Sequence, residues 1–512
     1  MLTNKLKYVI IQAGGKGTRL EHHTRNKPKA LVPINGKPNI FHLMSKFKNA
    51  KFIIIGDYKA EMFKNYLEVF CNFEYVFIHA TEKGTLAGIS EALSYIPLNT
   101  PFMITWCDLF VTNNFLPIQI NKNTNYIGLS NNLFKCRWKF TPYRTIIERA
   151  SYIRGIAGMF IFACKEQLGI IPRNGEFCAF LRDKNILFDP MQLRNVYEFG
   201  TEVLYEKLKL KFTNSRSFNE LHFTNKYVTK IPLNIYGKKI IKLETKWYQR
   251  MSNYGLTFIP KHHASDNTLS TEKINGIPLF LKKLDNLEKK SIILSVVEML
   301  SRIHRLVPSK PSNVKNDYEA IIFKTKNRLD LISSVIPHID SNHIVINDKQ
   351  CINFYKDWSI VENLFKMFSN SRYTPIHGDP TFSNILITKS KKLFLIDPRG
   401  YYGKREFYGD PDYDWAKLLY SIDGNYDQLN YKNFELSLVT NDIKFKIESA
   451  GWEYMRTYFF DLINVDSLKI DFYQAIIWLS YAQYVSEDYD AMLTAFYKGL
   501  ELMQGVYEKS HK

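Results

Sequence analysis

The run Ile376–His377–Gly378–Asp379–Pro380–Thr381–Phe382–Ser383–Asn384–Ile385–Leu386, followed by Phe394–Leu395–Ile396–Asp397, constrains the fold most tightly. Asp379 sits in a tight polar turn, Asn384 follows five residues on, and Asp397 closes an apolar, strand-like run thirteen residues later. Phosphoryl transfer from ATP needs such a set: one carboxylate to orient a hydroxyl and accept its proton, and an amide oxygen and a second carboxylate to hold a divalent cation on the phosphates. Any one of the three alone reads as an Asx turn or a strand-ending Asp. The ordered set requires a scaffold that brings a turn, a strand start and a strand end to one point.

This spacing resembles the catalytic and metal-binding loops of the aminoglycoside phosphotransferase and choline kinase family, a branch of the protein-kinase fold. The resemblance implies that Asp379 is the catalytic base and that Asn384 and Asp397 are metal ligands. It also implies that Asp414, in Gly409–Asp410–Pro411–Asp412–Tyr413–Asp414–Trp415, braces the catalytic loop. An Asp just ahead of a helix is equally suited to capping it. Arg399, after Asp397 and Pro398, is expected either to meet a phosphate or acidic substrate or to pair with a carboxylate such as Asp410. Upstream, Asn219 and Lys226–Ile231 resemble the kinase small lobe, with Lys230 as the ATP lysine and Glu244, fourteen residues on, as its helix partner. Ile277–Leu281 reads as a hinge strand. The apolar positions Ile292, Ile293, Val296, Val297, Leu300, Ile303 and Leu306 predict a helix over about 287–306, with His304 in a packing role.

The N-terminal part opens with a buried-strand pattern, Tyr8–Val9–Ile10–Ile11, that breaks into Gln12–Ala13–Gly14–Gly15–Lys16–Gly17–Thr18–Arg19–Leu20. A strand running into a glycine-rich loop lets backbone N–H groups approach a triphosphate. The G-K-S/T ending of a P-loop is absent, and the glycine spacing differs from the dinucleotide-binding fingerprint. With Asn26–Lys27–Pro28–Lys29–Ala30–Leu31–Val32–Pro33 directly after it, the loop closely resembles the sugar-phosphate nucleotidyltransferases. These join a sugar 1-phosphate, or phosphocholine, to a nucleotide. The resemblance implies that Arg19 and Lys29 clamp the triphosphate, with Ala13, Gly14, Gly15, Gly17 and Thr18 in the nucleotide-binding loop. Attack of one phosphate on another brings anions together, so cations there have a clear task.

More of that pattern follows. Phe52–Gly56 reads as the second parallel strand. Gly84, Thr85 and Gly88 resemble the base-reading loop, here interrupted by Leu86. Phe102–Asp108 is a strand ending where family members place a metal-binding aspartate, so Asp108 is the expected first metal ligand. Gly158 lies in a strand resembling the sugar-contacting one, and Glu176 is a candidate contact to a sugar hydroxyl. Val196–Thr201 resembles the family's W-x-D-x-G-T segment, with Glu198 where the second metal-binding Asp is expected. The stretch from 109 to 154, including Tyr126–Leu129, is expected to form sheet edge and substrate wall.

At 512 residues one core is too few. The expected architecture is α/β: a Rossmann-like nucleotidyltransferase domain over 1–212, then a bilobal protein-kinase-like (α+β) domain over 213–512. Its small lobe spans about 213–285 and its helical large lobe about 286–512, and a short linker at Thr213–Asn214–Ser215 implies close packing. Six cysteines without metal-type spacing read as reduced thiols of a cytoplasmic protein. The segment Met1–Lys7 lacks the features of a signal peptide, and no run reaches membrane-span length, so no membrane insertion is expected. The net charge of +19 is spread along the chain and reads as a lysine-rich surface around anionic-substrate sites, without nucleic-acid binding. Oligomeric state is left open.

Together the resemblances imply two consecutive reactions: a kinase makes a phosphomonoester, and a nucleotidyltransferase joins it to a nucleotide with release of pyrophosphate. Mg²⁺ or Mn²⁺ is expected in both sites, with ATP and a second NTP as substrates. The acceptor is expected to be a sugar phosphorylated at the anomeric position, for surface-glycan or capsule synthesis. The alternatives are choline, giving CDP-choline, and a non-catalytic scaffold.

Overall fold

The computed structural model describes residues 6–112, 115–116, 121, 123–130, 132–212, 219–265, 267–368, 372–439 and 442–511. The expected linker at Thr213–Asn214–Ser215 and the reading of Met1–Lys5 lie outside these residues. The chain divides into two compact units, Met1–Asn214 with Glu487–Tyr489, and Ser215–Ser486 with Asp490–Lys512. All six cysteines are free thiols. No helix among the described residues is long and apolar enough to cross a membrane.

The first unit is built on β1 (Tyr8–Gln12), β2 (Lys51–Gly56), β3 (Tyr75–His79), β4 (Phe102–Trp106), β5 (Leu109–Val111), β6 (Tyr126–Leu129), β7 (Ile156–Phe162), β8 (Asp189–Gln192) and β9 (Val196–Glu198). Seven of these form one sheet in the order β8-β6-β7-β4-β1-β2-β3. β1 pairs in parallel with both β2 and β4, whereas β7 runs antiparallel to β4 and β6. Val9, Ile10 and Ile11 are all fully buried, because a central parallel strand is covered on both faces and needs an unbroken apolar run. The strand Tyr126–Leu129 corrects one expectation: it is internal, paired on one side with β7 and on the other with β8. The edge strand is instead Asp-Pro-Met-Gln, whose alternating, Pro-containing pattern suits an edge and gives little strand signal.

β5 and β9 form a separate antiparallel pair in which Leu109 faces Glu198. A second cluster of Leu20, Val32, Ile34, Phe110, Phe199, Tyr205 and Leu208 packs around this pair. It ties the loop after β1, the Lys-Pro-Lys segment and the helix Glu202–Phe212 to the ends of β5 and β9. The Tyr205 hydroxyl donates to the Pro33 carbonyl at 2.8 Å, which fixes the same attachment.

The second unit starts with an antiparallel sheet of β10 (Asn219–Phe223), β11 (Tyr227–Pro232), β12 (His262–Ser265) and β13 (Thr268–Glu272), in the order β10-β11-β13-β12. Helix α1 (Ile235–Ser252) follows β11; Asn234 caps it by accepting from the Gly237 N–H. Helix α2 (Asn286–His304) begins with a capping box between Asp285 and Glu288 and buries Ile292, Ile293, Val296, Val297, Leu300 and Ile303. The strand Ile385–Thr388 pairs with Leu393–Leu395 and with Gly276–Pro278, so the short hairpin that follows the Asp379 turn is anchored on the start of the segment expected as a hinge. Helices α3 (Pro411–Ile422) and α4 (Ser467–Tyr484) form the core behind it.

Gly88 shows how tightly the first sheet is closed. Its φ is +73°, and a Cβ there would stand 2.7 Å from Ile55 Cγ2 and 2.9 Å from Ala80 Cβ. Gly88→Val is therefore expected to destabilise the first unit by about 1–3 kcal/mol through backbone strain and overpacking. A lowered urea midpoint checks this, and an unchanged midpoint would contradict it.

Candidate active sites

In the first unit the loop after β1 leaves the sheet with Ala13 still bonded, its N–H donating to the Ile55 carbonyl at 2.8 Å. Gly17 turns the chain at φ +65°, and a Cβ there would crowd Thr24 and Lys29. Gly15, Thr18 and Arg19 are exposed, with Gly14 half-buried beside Asp57. Lys29 is buried on a single helical turn, Lys29–Leu31, and its Nζ donates to Asp108 Oδ2 at 2.6 Å. Asp108 caps the end of β4, and the β5–β9 pairing sets it next to Glu198. A Cβ added to Gly200 would lie 2.0 Å from Glu198 Oε1 and 3.1 Å from Lys29 Nζ, so the Lys29 ammonium and the Glu198 carboxylate are neighbours.

The electrostatics follow from this crowding. Burial works against the Lys29 charge, but the surrounding groups, Asp108 foremost and then Cys107 and Glu198, together raise the ammonium above its ordinary value. Burial and then Asp108 push the Glu198 carboxyl up, against Lys29, the Gly200 N–H and Arg19. Arg19, Lys29, Asp108 and Glu198 thus share one field, although they come from four separate stretches of sequence. Two carboxylates converging on one lysine are oxygen donors of the kind a hard divalent cation takes.

Gly84, Thr85 and Gly88 form the neighbouring loop. Gly84 is at φ +96° against the Gly175 carbonyl, and Leu86, which interrupts the motif, is buried in the core with its N–H donating to that carbonyl. Glu176 lies beside this loop: Thr85 Oγ1 donates to Glu176 Oε2 at 3.3 Å, and Arg137 stands 3.7 Å from Glu176 Oε1. Gly158, at φ +74°, makes room for the indole of Trp106, whose ring would be 2.9 Å from an added Cβ. Two residues that sequence reasoning passed over brace this site. Gln12 donates to the carbonyls of Thr85 and Ala87, both at 3.0 Å, and Asn39 donates to those of Cys107 and Leu109 on either side of Asp108. Gln12 ends an otherwise apolar strand, and that was the signal available.

In the second unit Lys230, on β11, is buried between two carboxylates. Its Nζ lies 2.6 Å from Glu244 Oε1 on α1 and 2.6 Å from Asp397 Oδ1. Asp397 holds φ +55°, a strained conformation for a residue with a side chain. Asn384 reaches back, donating to the Asp379 carbonyl at 2.9 Å and to its Oδ2 at 3.1 Å. Lys417 Nζ stands 2.9 Å from Asp379 Oδ1. Burial works against ionised Asp379, yet Lys417, with Arg399 and His377, holds the carboxyl below its ordinary value. Lys417 was missed, though it sits three residues after Asp414 on one helix face.

Asp414 is fully buried under the turn that carries Asp379. It accepts from the His377 N–H at 2.9 Å and the Gly378 N–H at 2.6 Å, with His304 Nε2 3.0 Å away. It does not cap its helix: the N-cap is Asp410, which accepts from the Asp412 N–H, because Pro411 takes the first helical position. Arg399 does not pair with Asp410 either. Asp410 is taken by Lys469 at 3.0 Å and by the Tyr473 hydroxyl, while Arg399 donates to the Tyr413 and Tyr401 hydroxyls.

A further buried carboxylate supports the same turn. Asp427 Oδ1 accepts from the Ser383 N–H at 3.0 Å, and burial lifts its carboxyl from 3.8 to about 6, against the bonds from Ser421 and Ser383. The native state therefore favours the proton. This contribution to stability is complete below the unfolded value and is lost as pH rises through about 6. Asp427→Asn is expected to remove up to about 3 kcal/mol of the stability loss between pH 4 and pH 7. Urea midpoints across that range check this, and identical profiles for variant and wild type would contradict it.

Comparison with known proteins adds to this geometry. A bifunctional protein GlmU of Methanococcus maripaludis is 35% identical over 89 residues, covering 17% of this chain and 21% of that protein. A glucose-1-phosphate cytidylyltransferase of Salmonella typhimurium is 40% identical over 76 residues, covering 14% of this chain and 27% of the relative. The chain thus spans between a fifth and about a quarter of the length of these relatives. Among solved structures, the gentamicin complex of APH(2")-IIa is similar with a TM-score of 0.38 and 19% identity, over 59% of this chain and 95% of that one. Residues 9–118 of this chain match the family model described as the MobA-like NTP transferase domain.

Proposed function

We propose that the chain is a bifunctional transferase. The second unit phosphorylates a small hydroxyl compound with ATP, and the first transfers a nucleotidyl group from an NTP to that phosphate, releasing pyrophosphate. The observation that carries the reading is that each unit gathers its own cation–carboxylate set from distant stretches: Lys29 with Asp108 and Glu198, and Lys230 with Glu244 and Asp397 beside Asp379 and Asn384.

In the kinase step Asp379, kept ionised by Lys417, accepts the proton of the attacking hydroxyl. Asp414 holds the turn that presents it, and Lys230, oriented by Glu244, meets the ATP phosphates. In the nucleotidyl step Arg19 and Lys29 offset the negative charge gathered when one phosphate attacks another. Gln12 keeps the Gly84–Gly88 loop in place for the base. A divalent cation, Mg²⁺ or Mn²⁺, would be held by Asn384 and Asp397 in one unit and by Asp108 and Glu198 in the other, and supplies neutralisation of phosphate oxygens. A sugar 1-phosphate as the intermediate is supported by the similarity to a glucose-1-phosphate cytidylyltransferase and by the G-x-G-T-R-L and K-P-K-A-L-V-P motifs of this chain. The product is then a nucleotide-activated sugar, suited to surface-glycan or capsule synthesis by a cytoplasmic enzyme.

Separate variants test the two units. Lys29→Ala is expected to lower pyrophosphate release from supplied sugar 1-phosphates by about 100-fold or more, with ADP formation unchanged. Asp379→Asn should lower ADP formation by about 100- to 10,000-fold and spare pyrophosphate release. Loss of neither activity, or of both together in folded protein, would contradict the assignment.

A further inference from the structure

The second unit contains a pocket of about 340 Å³ lined by Glu319, Lys324, Arg328, Arg399, Tyr401 and Tyr413, among other residues. That volume suits a small metabolite. The charge of the lining is one-sided. Glu319 is engaged by Lys404, 2.7 Å away. Among the described residues no carboxylate forms an ion pair with Lys324, Arg328 or Arg399. Arg399 spends its guanidinium on the Tyr413 and Tyr401 hydroxyls, at 3.0 and 3.3 Å, and lies 4.6 Å from the Tyr401 ring centre. Arg328 donates to the Ser480 carbonyl and hydroxyl, at 3.1 and 3.0 Å. Burial, and then Arg399, Arg328 and Lys417, push the Lys324 ammonium well below its ordinary value, so these cations are close enough to repel one another.

The pocket adjoins the catalytic turn. The Arg399 N–H donates to the His377 carbonyl at 2.9 Å, and a Cβ on Gly378 would stand 2.8 Å from Arg399 Cβ. Lys417, which repels Lys324, is the residue paired with Asp379. Lys230 on the small-lobe sheet, within its own carboxylate pair, is the lysine assigned to ATP, so these cations are left for the other substrate. Gathering like charges in a half-buried pocket costs free energy unless an anion offsets it. Guanidinium groups match phosphate and carboxylate in geometry as well as charge.

We infer that the phosphoryl acceptor is itself an anion: a small hydroxyl compound that already bears a phosphate or a carboxylate, held by Lys324, Arg328 and Arg399. The inference rests on the kinase reading above. The acceptor hydroxyl oxygen bonds to the γ-phosphorus of ATP, the bond from that phosphorus to the β,γ-bridging oxygen breaks, ADP leaves, and the hydroxyl proton passes to Asp379. The product carries a new phosphate and its original anionic group. A cationic acceptor such as choline meets repulsion here, and a neutral sugar makes no use of the charges.

The test titrates the full chain calorimetrically with hexose 6-phosphates, hexuronates, the parent hexoses and choline, and follows ADP release from ATP with the same compounds. Anionic probes are expected to bind and turn over, and the phosphate and carboxylate arms tell which group the pocket takes. Lys324→Met and Arg328→Met, which remove charge but keep the apolar stem, should each weaken binding of the anionic probe by about 10- to 100-fold. ADP release with choline or a neutral hexose at equal or greater kcat/KM keeps the kinase reading and overturns the anionic acceptor. Anion binding unchanged in both variants also overturns it. Anion binding that the variants abolish, without ADP release for any acceptor, overturns the kinase reading and with it the acceptor role.

Discussion

Both units depend on a lysine ammonium held out of water by carboxylates that arrive from distant parts of the chain. Lys29 is secured by Asp108, seventy-nine residues away, and Lys230 by Asp397, one hundred and sixty-seven residues away. Such pairs add little to stability, because removing two charges from water offsets their attraction. They do fix geometry: removing either partner leaves a buried charge, so the elements that carry them must meet in one way. In the first unit that demand falls on the β5–β9 pair and its apolar cluster. In the second it joins strand β11, helix α1 and the segment just after the strand Leu393–Leu395.

Around each pair lies a set of neutral or anionic braces that do no chemistry. Gln12 and Asn39 hold the carbonyls flanking the first site, and Asp414 and Asp427 hold the N–H groups of the turn that presents Asp379. Each satisfies backbone groups that a tight loop would otherwise bury unpaired, and this lets irregular segments sit rigidly between sheets and helices. Gly378 takes its positive φ freely and is held by Asp414, whereas the strained Asp397 is held by Lys230.

Much of this was legible in the sequence, since it is written in local spacing. The alternation from an apolar strand to glycines marked the first loop, and the turn, Asn and Asp marked the second. Lys230 and Glu244 were readable because a strand and the following helix set their separation. What was not legible depends on long-range placement. The internal strand Tyr126–Leu129 and the edge at Asp189–Gln192 differ only in their neighbours, and the Asp410 cap was obscured by three aspartates within five residues. The cation-lined pocket draws Lys324, Arg328 and Arg399 from segments whose sequences look like ordinary helix and loop. Only the fold shows that, among the described residues, none of the three is in an ion pair with a carboxylate.

The account makes the two units successive stations for one phosphate, and labelling follows that phosphate directly. The full chain would be supplied with ATP labelled at the γ-phosphorus, an unlabelled hydroxyl acceptor that still has its reacting hydroxyl free and an unlabelled second nucleotide, and the products separated by mass. The account predicts that the label appears in the phosphomonoester and then in the nucleotide-linked product, on the phosphate next to the acceptor. A nucleotide-linked product without label, or label that never leaves ATP except as inorganic phosphate, would contradict it.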